Sequence, residues 1–273
     1  MYAMLTALAA LWGAAAGLLV PRAAYRFSVE PEDAWRDSCP AGHALTGAAR
    51  GWLGSTRCAR CARCAAAVPV AAAPGAEPGD RSEGEGDPVP STARYAPGVL
   101  VPVVTALACA ALAAATGPRP ELAVWLLLAP VGVLLATIDR RVHRLPDRLT
   151  LPAAATVVVL LGMAALLPEH GGSWLSALLG GAALGAFYFL LFLINPNGMG
   201  FGDVKLALSL GVALGWYGWP VLFAGGFAGF LLGAAYGFGL MVLKRAGRKT
   251  GIPFGPFMLT GALLGMLLGG LAA

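Results

Sequence analysis

Gly198-Met199-Gly200-Phe201-Gly202-Asp203-Val204-Lys205-Leu206 sets a carboxylate, with glycines on its N-terminal side, at the mouth of a long apolar run. An ionised Asp is expensive in hydrocarbon, so one at the end of a membrane span is by default a functional candidate. Gly200 and Gly202 lack a Cβ, which lets the backbone leave helical geometry and lets another chain come close. A second acid belongs with it, because Asp139 ends the apolar run 122–138.

Composition widens this reading to the whole chain. Of 273 residues, 58% are hydrophobic and only 12% charged, about half the charge of a soluble domain. An all-α polytopic membrane protein is expected. A spanning helix needs about 20 mostly apolar residues. Eight runs qualify as candidates: 2–20, 97–116, 122–138, 150–167, 174–194, 204–217, 220–243 and 252–271. The first lacks a basic leader and a clean cleavage site and reads as a retained helix. The sixth is short and holds Gly211 and Gly215.

Charge placement orients the spans. Eight crossings divide the loops into two sets, and one set carries 18 of the 19 Lys and Arg, leaving only Arg119 to the other. Positive charge stays in the cytoplasm, so the first set is expected there and both termini outside. Two spans separate Asp139 from Asp203, so both acids are expected at cytoplasmic helix ends. The net charge of +5 does not indicate nucleic acid, because no basic patch is interleaved with aromatics.

The chain divides into a first transmembrane helix (1–21), a cytoplasmic Cys-rich module (22–64), a Pro/Gly/Ala/acidic linker (65–95) and a seven-helix membrane core (96–273). The linker has almost nothing to bury and is expected to stay disordered. Four of five cysteines, Cys39, Cys58, Cys61 and Cys64, fall in the module, a clustering that suits metal binding in a reducing compartment. Cys109 lies within a span and reads as a packing residue.

Two carboxylates at close range can share one proton, since both do not easily ionise together. One can then activate water while the other polarises a peptide carbonyl. The plainer alternative is that each Asp caps a helix or pairs with Arg140 or Lys205. Asp147 rivals Asp139 for the first position, although its place just before a span suits a helix-cap role. His143 stands near Asp139 and reads as a solvated loop residue.

The run Gly200-Phe201-Gly202-Asp203-Val204-Lys205 resembles the G-x-G-D signature of the type IV prepilin peptidases, bacterial intramembrane aspartic proteases. Ile138-Asp139 followed by Leu145-Pro146-Asp147 resembles their first-aspartate segment. Ile252-Pro253-Phe254-Gly255-Pro256-Phe257 resembles their last-span motif, and Gly17, Tyr25-Arg26 and Ser38-Cys39-Pro40 their amino-terminal domain. The resemblance implies that Asp139 and Asp203 are the catalytic pair and that the leader of a prepilin or pseudopilin is removed at the inner face of the bacterial cytoplasmic membrane. It also implies a structural zinc site. Gly42 stands where the family's second cysteine would be, so Cys39, Cys58, Cys61 and Cys64 are the expected ligands, with His43 as an alternative. Many relatives also methylate the new N-terminus with S-adenosylmethionine, a function linked to the amino-terminal region where this chain departs. The competing readings are a proton-coupled membrane transporter and a zinc-module assembly factor with incidental acids.

Overall fold

A computed structural model describes residues 2–29, 33–52, 54, 58, 60–61, 99–196, 199–243 and 253–273. The linker 65–95, Cys64, Gly198, Ile252 and the basic loop 244–251 lie outside the described residues. Eight long helices dominate what is described: α1 Tyr2–Phe27, α2 Leu100–Thr116, α3 Glu121–Val142, α4 Asp147–Ala164, α5 Trp174–Ile194, α6 Phe201–Trp216, α7 Trp219–Val242 and α8 Gly255–Ala272. Hydrocarbon leaves a backbone no partner but itself, and a helix closes every bond within one segment. The chain is thus an all-α polytopic membrane protein.

Each helix matches one of the eight apolar runs, with shifts at the ends. Six are long and apolar enough to cross a membrane, whereas α2 and α6 have 17 and 16 residues. Such helices are about 25 Å long, short of the roughly 30 Å hydrocarbon core. The reason α6 tolerates its length is its position. Eleven of its 16 residues are buried, and it touches α4, α5, α7 and α8, so it is an interior strut with little lipid contact.

Glycine sets how closely these helices approach. A Cβ on Gly180 would sit 2.7 Å from Gly211 O and 2.8 Å from the Gly215 Cα. A Cβ on Gly261 would sit 2.6 Å from Gly225 O, and one on Gly265 2.9 Å from the Gly225 Cα. Helices in lipid associate by such packing, with small residues letting backbones nearly touch. The pairs α5/α6 and α7/α8 thus pack backbone to backbone, as does α1 on α2, where a Cβ on Gly13 would sit 2.6 Å from Thr105 O. By contrast, no Cα of α3 comes within 8 Å of one on α6. These two helices face each other across a slot of about 340 Å³, walled by Leu128, Gly132, Leu135, Leu206, Leu210 and Ala213 among others.

The end remote from Asp139 is closed by polar contacts. Gly171 N–H donates to the fully buried Glu121 at 3.0 Å, and Arg119 donates to Gly270 O at 3.1 Å. At the opposite end α1 runs two turns beyond its apolar run. Its buried Arg22 and Arg26 donate to Thr46 O and Arg50 O, and Arg26 lies 4.2 Å from the centre of the Trp52 ring. Arg148 of α4 covers Trp35 at 4.6 Å. Carbonyl and cation–π contacts of this kind hold guanidinium groups in partly dry sites and dock the Cys-bearing segment onto the bundle.

Candidate active site and metal centre

Asp139 lies in the last turn of α3 and Asp203 in the first turn of α6; both are buried. Both line one cavity of about 550 Å³ with His143, Leu145, Asp147, Gly200 and Lys205. The hairpin α4–α5 has returned the chain to the same end of the bundle, as the parity of spans requires. Asp203 lies within electrostatic reach of Asp139, and the apolar slot between α3 and α6 has Arg140 and Leu206, neighbours of the two cavity-lining helix ends, in its own wall.

Helix termini supply what holds the two charges. The backbone N–H of Gly255, at the start of α8, donates to Asp139 Oδ2 at 2.9 Å. A helix N-terminus carries unpaired N–H groups and a partial positive charge, so α8 is aimed at this carboxylate. Asp203 occupies the corresponding place on its own helix. No ion pair reaches either acid among the described residues. Lys205 is instead bridged to Asp147 at 2.6 Å and lies 4.9 Å from the centre of the Phe201 ring. Asp147 is 60% exposed at the start of α4, which suits the dipole of that helix and leaves Asp139 as the inward acid.

Three neighbours shape the mouth. His143 takes a left-handed conformation (φ 50°) and closes α3 through its N–H to Asp139 O at 2.8 Å; its backbone, more than its ring, has the local role. Gly202 must be glycine, because a Cβ there would lie 2.9 Å from Leu145 Cβ. Gly200, in contrast, is extended at φ −73°, a conformation open to any residue, and a Cβ on it would still clear Asp203 Oδ2 by 3.8 Å. The expectation that both glycines are needed for backbone freedom thus narrows to close approach at Gly202. The role of Gly255 was not legible in the sequence beyond its place in a motif.

Residues 126–238, which include both acids, match the type IV leader peptidase family. A prepilin leader peptidase/N-methyltransferase of Aeromonas hydrophila is 34% identical over 192 residues, covering 69% of this chain and 63% of that protein. Residues 126–238 thus belong to the type IV leader peptidase family. Proteins of the same name from Bacillus subtilis and Pseudomonas aeruginosa are 31% and 32% identical, over 61% and 62% of this chain and 64% and 58% of theirs. The chain thus covers under two thirds of the length of these relatives. No solved structure matches it.

A second cluster lies in the segment docked on α1. Cys39 Sγ lies 3.6 Å from Cys61 Sγ and 3.7 Å from His43 Nδ1, and His43 Nδ1 lies 3.3 Å from Cys61 Sγ. With Cys58, all four ligand atoms fall within 4.8 Å of one another. Ligand bonds of 2.0–2.3 Å in a tetrahedron imply edges of about 3.4–3.8 Å, so the set could hold a metal ion. Loss of solvent, then hydrogen bonding to Cys39 and Cys58, pushes the Cys61 thiol up to about 12. A bound dication reverses that by taking the thiolate. Cys58 and His43 thus complete a set around Cys39 and Cys61, while the expected ligand Cys64 lies outside the described residues. Cys109 is buried in α2, against Gly13 of α1, as a packing residue.

Proposed function

We propose that this chain is a membrane-embedded aspartic endopeptidase that removes the leader from type IV prepilin or pseudopilin precursors, with Asp139 and Asp203 as its catalytic pair. The observation that carries this reading is a single cavity lined by two buried acids, with the N-terminus of α8 on Asp139 and Asp203 in the first turn of α6. One carboxylate takes a proton from water as the water oxygen attacks the scissile carbonyl carbon. The other, protonated, hydrogen-bonds the carbonyl oxygen. Collapse of the tetrahedral intermediate breaks the C–N bond, and the amine leaves with a proton from the acid pair.

The apolar slot between α3 and α6 supports a substrate whose peptide bond is followed by an apolar segment. Such a slot would let that segment stay in the bilayer while the bond is cut at the surface. The basic loops support a cytoplasmic position for this surface. Cys39, His43, Cys58 and Cys61 would hold structural zinc, which would tie the amino-terminal segment together away from the reacting atoms. The names of the relatives also carry a methyl transfer, which would use S-adenosylmethionine. Neither a glycine-rich strand-to-helix loop in the sequence nor a strand among the described residues suggests where that cofactor would sit, so the proposal extends to leader removal alone.

The test is cleavage of a type IV prepilin by the full chain in membranes. Asp139→Asn and Asp203→Asn should each abolish cleavage while the protein remains inserted. Cleavage retained in both variants overturns the reading.

A further inference from the structure

One buried phenol beside the acids has no part in the chemistry above. Tyr188 of α5 is 1% exposed, whereas Phe187 and Phe189 on either side are 47% and 44% exposed. Its side chain therefore points into the bundle. Helices α5 and α6 run antiparallel in a register read from their contacts. Gly180 lies against Gly211 and Gly215, Gly185 against Leu208, and the Phe192 ring stands 5.4 Å from that of Phe201. Interpolating between the last two pairs sets Tyr188 level with Lys205, two residues beyond Asp203 on the facing helix.

The packing agrees with that register. Tyr188 shares one core with Val204, Leu206 and Ala207, and its phenol lies within electrostatic reach of Asp203. On its other side the ring meets Phe230 at 5.5 Å and Phe254 at 6.2 Å. Phe254 immediately precedes Gly255, whose N–H holds Asp139. One side chain thus touches the supports of both acids. A Leu or Phe would fill the same space without the cost of burying a hydroxyl. A buried tyrosine hydroxyl seeks a partner; the Tyr188 hydroxyl has no hydrogen bond among the described residues, and an ionised Asp203 would be a strong acceptor for it.

We propose that Tyr188 is a positioning residue shared by the two acids: its ring holds the Phe254-Gly255 corner against Asp139, and its hydroxyl donates to Asp203 and orients that carboxylate. The inference rests on the peptidase reading for its kinetic consequence, but the contact itself can be measured without substrate.

Two readouts test it, both on the full chain in lipid vesicles. In the first, kcat and KM are measured with a purified type IV prepilin for wild type, Tyr188→Phe and Tyr188→Leu. Loss of one hydrogen bond to a charged group corresponds to about ten- to hundredfold. Tyr188→Phe should lower kcat by about that factor with KM unchanged, and Tyr188→Leu should lower it further. Unchanged kcat in Tyr188→Phe, or a change in KM alone, overturns the proposal. In the second, the rate at which dicyclohexylcarbodiimide modifies Asp203 is followed by mass spectrometry. Removing a donor from the carboxylate favours its protonated, reactive form, so Tyr188→Phe should react several times faster than wild type; equal rates overturn the contact. If wild type leaves prepilin uncut, the peptidase reading fails, and the carbodiimide rates alone decide the role of Tyr188.

Discussion

Gly255 N–H donates to Asp139 Oδ2 at 2.9 Å across 116 residues of sequence. The contact joins the first turn of α8 to the last turn of α3 and leaves no room for a side chain. A Cβ on Gly255 would lie 2.8 Å from the same oxygen. Gly255→Ala should therefore displace Asp139 or break the hydrogen bond, which to a charged acceptor is worth about 1.5–3 kcal/mol. The expected result is a ten- to hundredfold slower leader cleavage with the protein still inserted, read from the rate of prepilin processing. Full activity would remove Gly255 from the site.

Gly200 and Gly202 should behave differently although they share one motif. Gly202 abuts Leu145, so Gly202→Ala forces the start of α6 away from the α3–α4 turn and should lower cleavage strongly. Gly200→Ala meets only ordinary van der Waals contacts of 3.8 Å or more and an ordinary φ, and should keep most of the wild-type rate. Equal loss in both would show that backbone freedom, and not close approach, is what the motif supplies.

Asp147 provides the control for the acid assignment. Its carboxylate end of the bridge to Lys205 is exposed, and exposed pairs are worth about 0–1 kcal/mol. Asp147→Asn should leave cleavage within about fivefold of wild type, while Asp139→Asn should abolish it. The opposite ranking, measured on the same prepilin, would make Asp147 the first catalytic acid.

Metal content tests the amino-terminal cluster. Purified protein should carry one zinc per chain by elemental mass spectrometry, and Cys61→Ser or His43→Ala should lose most of it. Cys64→Ser should retain it, since Cys39, His43, Cys58 and Cys61 already supply four ligand atoms within 4.8 Å of one another. Chelation should open residues 33–61 to protease, because a site of this kind stabilises the segment only when filled. Zinc lost in Cys64→Ser and kept in His43→Ala would exchange the two ligands.

The helices were legible because each apolar run is a local property, and lipid leaves such a run one conformation. Where the ends differed, long-range contacts intervened. Helix α1 continues to Phe27 because Arg22 and Arg26 find carbonyl partners in the docked segment. Helix α3 runs through Asp139 to a left-handed His143. The two acids were legible from their places at span ends, but their supports were not. Gly255 looks like any helix-starting glycine, and Tyr188 like one more residue of an apolar run.

By itself the sequence determined how many times the chain turns back through apolar surroundings and that Asp139 and Asp203 come out on one side. Both follow from hydrophobic length and the parity of crossings, which need no knowledge of neighbours. Only the tertiary structure decided that α3 and α6 stand apart across a slot, that α8 points its N-terminus at Asp139, and that His43 joins three thiols. Those outcomes depend on which backbones glycine allows to touch, a relation between distant segments that no local pattern of hydrophobicity records.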